Sequence, residues 1–221
     1  MIRHVIVTIA VIGLAASAAS AQEPRVELSA TAGWTFSDGV SGDPVVAGDG
    51  NVYNRLDPKD AFSWSASLGF NVTPNVEAGF LFGHQLSELE LGGTATRTVG
   101  DLSVLNYHGY LAYNFGESDA KVRPFVLGGI GATHYGAVGY SVAGRQGETE
   151  GQTKFSTTWA AGVKVFPNPR FGLKLQARWT PTYIKSDAAG WWCDPFWGCY
   201  VVGDAQYSNQ FELGGGITLR F

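Results

Sequence analysis

The sequence predicts an all-β chain: an eight-stranded antiparallel transmembrane β-barrel with short periplasmic turns and long extracellular loops. Three observations predict it. An apolar leader opens the chain, eight later segments alternate apolar and polar residues with period two, and the connections between them are alternately short and long.

The leader has Arg3 and His4, the apolar run Val5 to Ala16, and the small residues Ser17 to Ala21, with Ala19-Ser20-Ala21 before Gln22. This is the pattern of a secretory signal peptide with an A-x-A cleavage site, and its apolar core is too short to cross a bilayer. The expected organisation is a signal peptide over 1–21 and one barrel domain over 22–221, a length that suits a single domain. The 15 basic and 19 acidic side chains give a net charge of −4, and loss of Arg3 with the leader makes it −5. No basic field points to nucleic acid.

The first run, Val26 to Phe36, sets Val26, Leu28, Ala30, Ala32, Trp34 and Phe36 against Glu27, Ser29, Thr31, Gly33 and Thr35. Strict alternation of this kind is the signature of a strand with two different faces. Phe62 to Val72 repeats it, and Thr73-Pro74-Asn75 turns into a third run, Val76 to Ser87. A fourth runs from about Leu102 to Phe115, and Gly116 to Ala120 closes a second short turn into a fifth, about Val122 to Tyr135. The fifth is less regular, because Leu127 falls on the polar side. The sixth, about Lys154 to Phe166, turns at Pro167-Asn168-Pro169 into the seventh, Arg170 to Tyr183, and the eighth runs from about Tyr207 to Phe221. Between them residues 37–60, 88–100, 136–153 and 184–206 are long connections. Short turns at one end and long loops at the other describe an outer-membrane barrel.

A soluble eight-stranded barrel of the lipocalin type is also closed and antiparallel, but it turns its apolar face inward. Here Lys, Arg and Glu share one face with Ser, Thr and Gly, while Trp, Phe, Tyr and Leu fill the other. That division fits a lipid-facing band with aromatic girdles.

Tyr113-Asn114-Phe115 before a short turn, the run Arg123 to Gly131 and the final Thr218-Leu219-Arg220-Phe221 resemble the small outer-membrane β-barrel family, which includes the OmpA-like membrane domain and OmpX-like barrels. The likeness spans essentially the whole mature chain. It implies a bacterial outer-membrane location and an assembly signal in the last strand, Ile217, Leu219 and Phe221, read by the barrel-assembly machinery. It implies little about activity, since such folds serve as adhesins, shields, narrow pores and anchors.

The inward face collects Arg123, Lys154, Lys164, Lys174, Arg178 and Arg220 with Glu27, Glu77 and Glu212. Eight strands leave room only for side chains, so a lumen network of Glu27, Glu77, Arg123, Lys164, Lys174, Arg178 and Glu212 is expected to plug the barrel. The basic excess carries an alternative, a narrow low-conductance path for small anions. A hydrolase is a distant alternative. His84 and His134 are placed on the outward face and His108 inward, and no Ser/His/acid grouping accompanies them, so no catalytic residue is assigned. The first long loop offers Asp38, Asp43, Asp49, Asn51, Asp57 and Asp60, but their spacing is not that of an EF-hand. No metal and no cofactor are expected.

The last long loop holds Trp191, Trp192, Cys193, Phe196, Trp197, Cys199 and Tyr200. Cys193 and Cys199, close together in an exported chain, are expected to form a disulfide contributing about 2 kcal/mol. It would hold Trp191, Trp192, Phe196, Trp197 and Tyr200 as an exposed binding tip; the competing reading folds these rings onto the barrel rim as girdle residues. Outer-membrane lipid or lipopolysaccharide and an unidentified extracellular ligand are the expected partners, and a closed barrel is expected to be a monomer. The leading expectation is a structural or surface-interaction protein with a filled lumen.

Overall fold

The computed structural model describes residues 25–46, 50–142, 145–184, 193–194, 198–199 and 206–221. The leader lies outside the described residues.

Eight strands form the barrel wall: β1 (Val26–Ser37), β4 (Ala61–Asn71), β5 (Val76–Gly93), β6 (Arg97–Asn114), β7 (Val122–Tyr135), β10 (Gln152–Val165), β11 (Phe171–Ile184) and β14 (Gln206–Arg220). Each pairs antiparallel with its neighbour, and the sheet closes where β1 meets β14, from Glu27 opposite Arg220 to Ser37 opposite Gln210. The remaining strands lie in the long connections. They are β2 (Val40–Val46) and β3 (Val52–Pro58), a hairpin of β8 (Gly139–Val142) and β9 (Arg145–Glu148), and a two-residue ladder of β12 (Cys193–Asp194) and β13 (Gly198–Cys199).

The alternation read from the sequence becomes inside and outside. On β1, Glu27, Ser29, Thr31 and Thr35 are buried in the lumen. Leu28, Trp34 and Phe36 stand outside with 44%, 49% and 44% of their surface exposed. In water such a continuous apolar wall would cause association, whereas in lipid it is the favourable arrangement. From Leu28 to Phe36 the band on β1 is about 20 Å tall, taking a rise of about 3.4 Å per residue and a tilt of about 40°. Phe36, Phe211, Trp179 and Trp159 are successive cross-strand partners in one outward row. Within that row the Trp179 indole N–H donates to Asn209 at 3.1 Å, and that of Trp159 to Thr157 at 3.2 Å. The rings thus keep an apolar body and a satisfied polar edge, as an interfacial girdle requires.

The short turns are fixed by side-chain caps. Thr73 Oγ1 accepts from the backbone N–H groups of Asn75 and Val76, and Asn168 Oδ1 accepts from those of Arg170 and Phe171. The Asn75 amide spans two turns, donating to the carbonyls of Asn114 and Gly116 at 2.7 Å each. Gly116 has φ +86°, a left-handed conformation that a side chain would strain.

The loop end departs from the sequence reading. Residues 88–100, read as a loop, are mostly strand: β5 and β6 are each 18 residues long and meet in a turn over 94–96. They pair continuously from Val76 opposite Tyr113 to Leu91 opposite Arg97, with one irregularity at Leu89/Glu90. Above the rim β3 adds to β5, and β2 adds to β3. The long first connection is therefore a hairpin that continues the wall.

Along this extension the faces exchange character. Below it the apolar residues Phe80, Phe82 and Leu86 of β5 point outward; above it Leu89 is buried inward, Leu91 packs beside it, and Glu88 and Glu90 take the outward positions. On β6, Leu102 and Val104 are buried inward while Asp101 and Ser103 face out. The wall is apolar-out in lipid and polar-out in water, and the inversion marks the boundary between them.

Candidate functional site: the lumen and its outer lid

Each member of the lumen set faces inward and is at most 5% exposed: Glu27, Glu77, Arg123, Lys164, Lys174, Arg178 and Glu212. They fall into two groups. Near the short-turn end the Lys164 ammonium lies between Glu27 and Glu77, bonded to Glu27 and 2.8 Å from Glu77. Glu77 also accepts from the Tyr110 hydroxyl at 2.5 Å and from the Asn114 amide at 3.4 Å. Arg220 pairs with Glu27 at 3.3 Å, donates to the Ser118 carbonyl and lies 3.3 Å over the Phe166 ring. Arg123 donates to the Pro74 carbonyl at 2.7 Å, tying a turn to the barrel floor.

Higher up, Arg178 pairs with Glu212 at 2.6 Å, and Glu212 accepts from Ser63 at 2.9 Å. Lys174 takes a different role. Among the described residues no carboxylate lies within ion-pair distance of it; its ammonium stands 5.0 Å from the centre of the Phe125 ring, with that of Lys164 at 5.3 Å from the same ring. The lumen is also not polar throughout. Leu81, Tyr110, Ala112, Phe125, Leu127 and Ala160 form a buried apolar patch, which is why Leu127 interrupts the alternation of β7.

Between the second ion pair and the outer end lies a neutral network that sequence reasoning missed. Gln210 donates to Gln85 at 2.8 Å, and Asn106 donates to Gln210 at 3.2 Å. Thr133, Ser156 and His108 continue it, with Ser156 Oγ 2.9 Å from His108 Nε2. The available signal was phase: every one of these residues shares the inward register with the charged set.

Over this network sits an apolar lid of Val40, Leu56, Leu89, Leu102, Val104, Tyr135, Val138 and Ile184. It joins the added strands β2 and β3 to the inward faces of the strand tops. Ion pairs, neutral network and lid follow one another along the lumen from the short-turn end toward the outer mouth.

The three histidines among the described residues occupy three settings. His84 Nε2 is 2.9 Å from Ser103 Oγ on the outward face, His134 Nδ1 is 2.9 Å from Thr153 Oγ1, and His108 is fully buried in the lumen. Among the described residues no carboxylate is hydrogen-bonded to any of them, so none has the acid that orients a catalytic histidine. In the first connection Asp57 pairs with Arg55 at 2.7 Å, and Asp60 accepts from the Ser37 backbone N–H at 2.9 Å. Among the described residues no group of three or more His, Cys, Asp or Glu side chains is placed to hold a metal ion.

The backbones of Cys193 and Cys199 are cross-strand partners in the β12–β13 ladder. Trp191, Trp192, Phe196, Trp197 and Tyr200 lie outside the described residues. In the last strand Ile217 and Phe221 are outward, 43% and 40% exposed, with Leu219 on the same face.

Solved structures share this architecture. Neisserial surface protein A is 13% identical with a TM-score of 0.55, covering 89% of this chain and 97% of its own. The outer membrane protein OprG from Pseudomonas aeruginosa is 11% identical with a TM-score of 0.54, covering 90% of this chain and 97% of its own. The outer membrane protein AlkL, solved in lipid bilayers, is 14% identical with a TM-score of 0.53, covering 92% of this chain and 94% of its own. Identities this low show the fold alone. No curated protein sequence matches the chain. The profile of the outer membrane protein beta-barrel domain matches residues 6–221. With a closed eight-stranded barrel, a lipid-facing apolar wall and a profile match over nearly its whole length, the chain belongs to the outer membrane protein beta-barrel domain family.

Proposed function

We propose that this is a surface-facing outer-membrane protein whose lumen is closed to solutes and which acts through its outer loop end. The observation that carries this reading is the apolar lid stacked on a lumen bridged by ion pairs and hydrogen bonds. Ions would have to cross both an apolar cluster and a network of buried ion pairs. The test is single-channel conductance of the refolded chain in a planar bilayer, beside a variant in which Lys164 and Arg178 become Gln. A silent bilayer containing folded barrel is expected. Steady openings whose ion selectivity shifts in the variant would overturn the closed lumen.

That outcome would favour the second reading, a narrow path for small anions. Its support is the charge count of the described lumen, where Arg123, Lys164, Lys174, Arg178 and Arg220 are buried beside only Glu27, Glu77 and Glu212.

Contact with the outside is assigned to the loop end, with Trp191, Trp192, Phe196, Trp197 and Tyr200 as the binding tip and a Cys193–Cys199 disulfide closing its base. The cross-strand register of the two cysteines supports that bond. Titration of the purified protein with a thiol reagent should find no free thiol until a reductant is added. We assign the chain no catalytic role. It is exported by a leader cleaved after Ala21, folded through the signal of Ile217, Leu219 and Phe221, and monomeric in the outer membrane.

A further inference from the structure

A break in the strand ladder opens the wall at the water boundary. Pairing of β4 with β5 reaches Ser63 opposite Gln85, and pairing of β3 with β5 resumes at Pro58 opposite Leu89. Between them the chain over 59–61 is held to β5 by isolated bonds: the Lys59 N–H donates to the Glu88 carbonyl at 2.9 Å, and the Lys59 carbonyl accepts from Ser87 and Gln85. Beside this notch lies a cleft of about 550 Å³.

The cleft has two chemistries. Its lower part is made by Trp34, Phe62 and Leu86, which belong to the lipid-facing wall and are 49%, 46% and 56% exposed. Its upper part carries Lys59, Asp60, Glu88 and Asp101. Glu88 and Asp101 are direct cross-strand partners on the outward face, a like-charge pairing that costs stability unless a cation offsets it. Lys59 offsets it only in part, because its ammonium is shared between Glu88 at 3.1 Å and Glu90 at 3.7 Å. Asp60 is engaged by the Ser37 N–H. Asp101 has no hydrogen-bond or ion-pair partner among the described residues, so the rim keeps an acidic excess with one carboxylate unengaged.

An apolar floor continuous with the membrane-facing wall, under an acidic rim at the height of the head groups, fits an amphiphile with a cationic head. We propose that this cleft binds a lipid carrying a primary ammonium in its head group, of the phosphoethanolamine type. Its ammonium lies between Glu88 and Asp101, its phosphate near Lys59, and its hydrocarbon along Leu86, Phe62 and Trp34. The hydrogen-bond donors of a primary ammonium suit two carboxylate acceptors on neighbouring strands, whereas a trimethylammonium group has no N–H to give. The inference is independent of whether the lumen conducts.

The test uses the full chain, refolded into vesicles containing equal parts of phosphatidylethanolamine, phosphatidylcholine and phosphatidylglycerol with identical acyl chains. Lipids retained after release into detergent are counted by native mass spectrometry. The expected result is severalfold enrichment of phosphatidylethanolamine over phosphatidylcholine, lost in Asp101→Asn. That substitution breaks no contact made within the described chain, and the slower migration of heated samples on gels verifies that the variant is folded. Leu86→Asn should weaken retention without changing the head-group order. Equal retention of the ethanolamine and choline lipids, preference for the glycerol lipid, retention of none, or enrichment unchanged in Asp101→Asn would each overturn the proposal.

Discussion

Removing the Lys164 ammonium is the sharpest test of what holds the lumen together. Lys164 is 1% exposed and neutralises two carboxylates at once. In Lys164→Met an unbranched side chain one atom shorter takes the place of the lysine and the charge is lost. Glu27 retains Arg220 at 3.3 Å, but Glu77 retains only the neutral donors Tyr110 and Asn114. One buried carboxylate is left without a cation, a situation that costs about 3–5 kcal/mol. At about 1.4 kcal/mol per factor of ten, this shifts the unfolding equilibrium by roughly a hundredfold to several-thousandfold. Lys164→Met/Glu77→Gln removes both charges while keeping an acceptor for Tyr110, and should recover half of the loss or more. The assay is urea unfolding in lipid vesicles, followed by tryptophan fluorescence and by the fraction of folded protein on unheated gels. A single-variant cost below about 1 kcal/mol, the range of a solvated ion pair, would refute the reasoning. So would a double variant whose loss is the sum of the two singles, since coupled neighbours do not add.

Two further outcomes follow from other parts of the wall. Gly216 sits on the closing seam opposite Thr31, where a Cβ would collide with the Ala30 carbonyl, so Gly216→Ala should push β14 from β1 and reduce the yield of heat-shifted, folded barrel. Folding yield equal to that of the parent would show that the seam relaxes freely. At the outer rim the hydrogen bond to Glu88, its charge and then that of Glu90 raise the pKa of Lys59 above the ordinary 10.5. The folded value being the higher one, these attachments are intact below pH 10.5 and are released as the pH rises through the raised value; the Lys59 side-chain carbon shift in an NMR titration should move later than that of a free lysine, and Glu88→Gln should bring the two closer.

The barrel was legible because two solvents impose one period on it. Trp34, Phe62 and Leu111 must meet lipid while Glu27, Ser63 and Ala112 face the lumen, so a plain alternation located the strands and the inward charges. The upper ends were not legible for the same reason. At Leu89 and Leu102 the alternation continues with its polarity reversed, and a reading tuned to apolar-outside ends the strand where the solvent changes. The pattern Glu88-Leu89-Glu90-Leu91 carried the needed signal as strand periodicity alone. Pairings inside the lumen were unreadable for another reason: Lys164 with Glu77 joins non-neighbouring strands and depends on barrel stagger, while Arg178 with Glu212 are direct partners on β11 and β14 whose register is set across a long connection. Nothing local distinguishes Lys174, which meets an aromatic ring, from Lys164, which meets two carboxylates.

The length of the β5–β6 hairpin also makes it a mechanical link. Eighteen residues per strand, at about 3.3 Å each, make a stiff ribbon on the order of 60 Å long that runs from the short turns to the hairpin turn over 94–96, with one irregularity at Leu89/Glu90. A pull on the tip along the strands would not peel the ribbon open one bond at a time. It would place the flanking ladders to β4 and β7 in shear, so that many bonds resist together and the force is delivered to the barrel floor around Glu77, the carboxylate that Lys164 holds. A partner gripping the outer hairpin is thereby attached to the deepest part of the molecule, and the outer sheet serves as an anchor point as well as a cover.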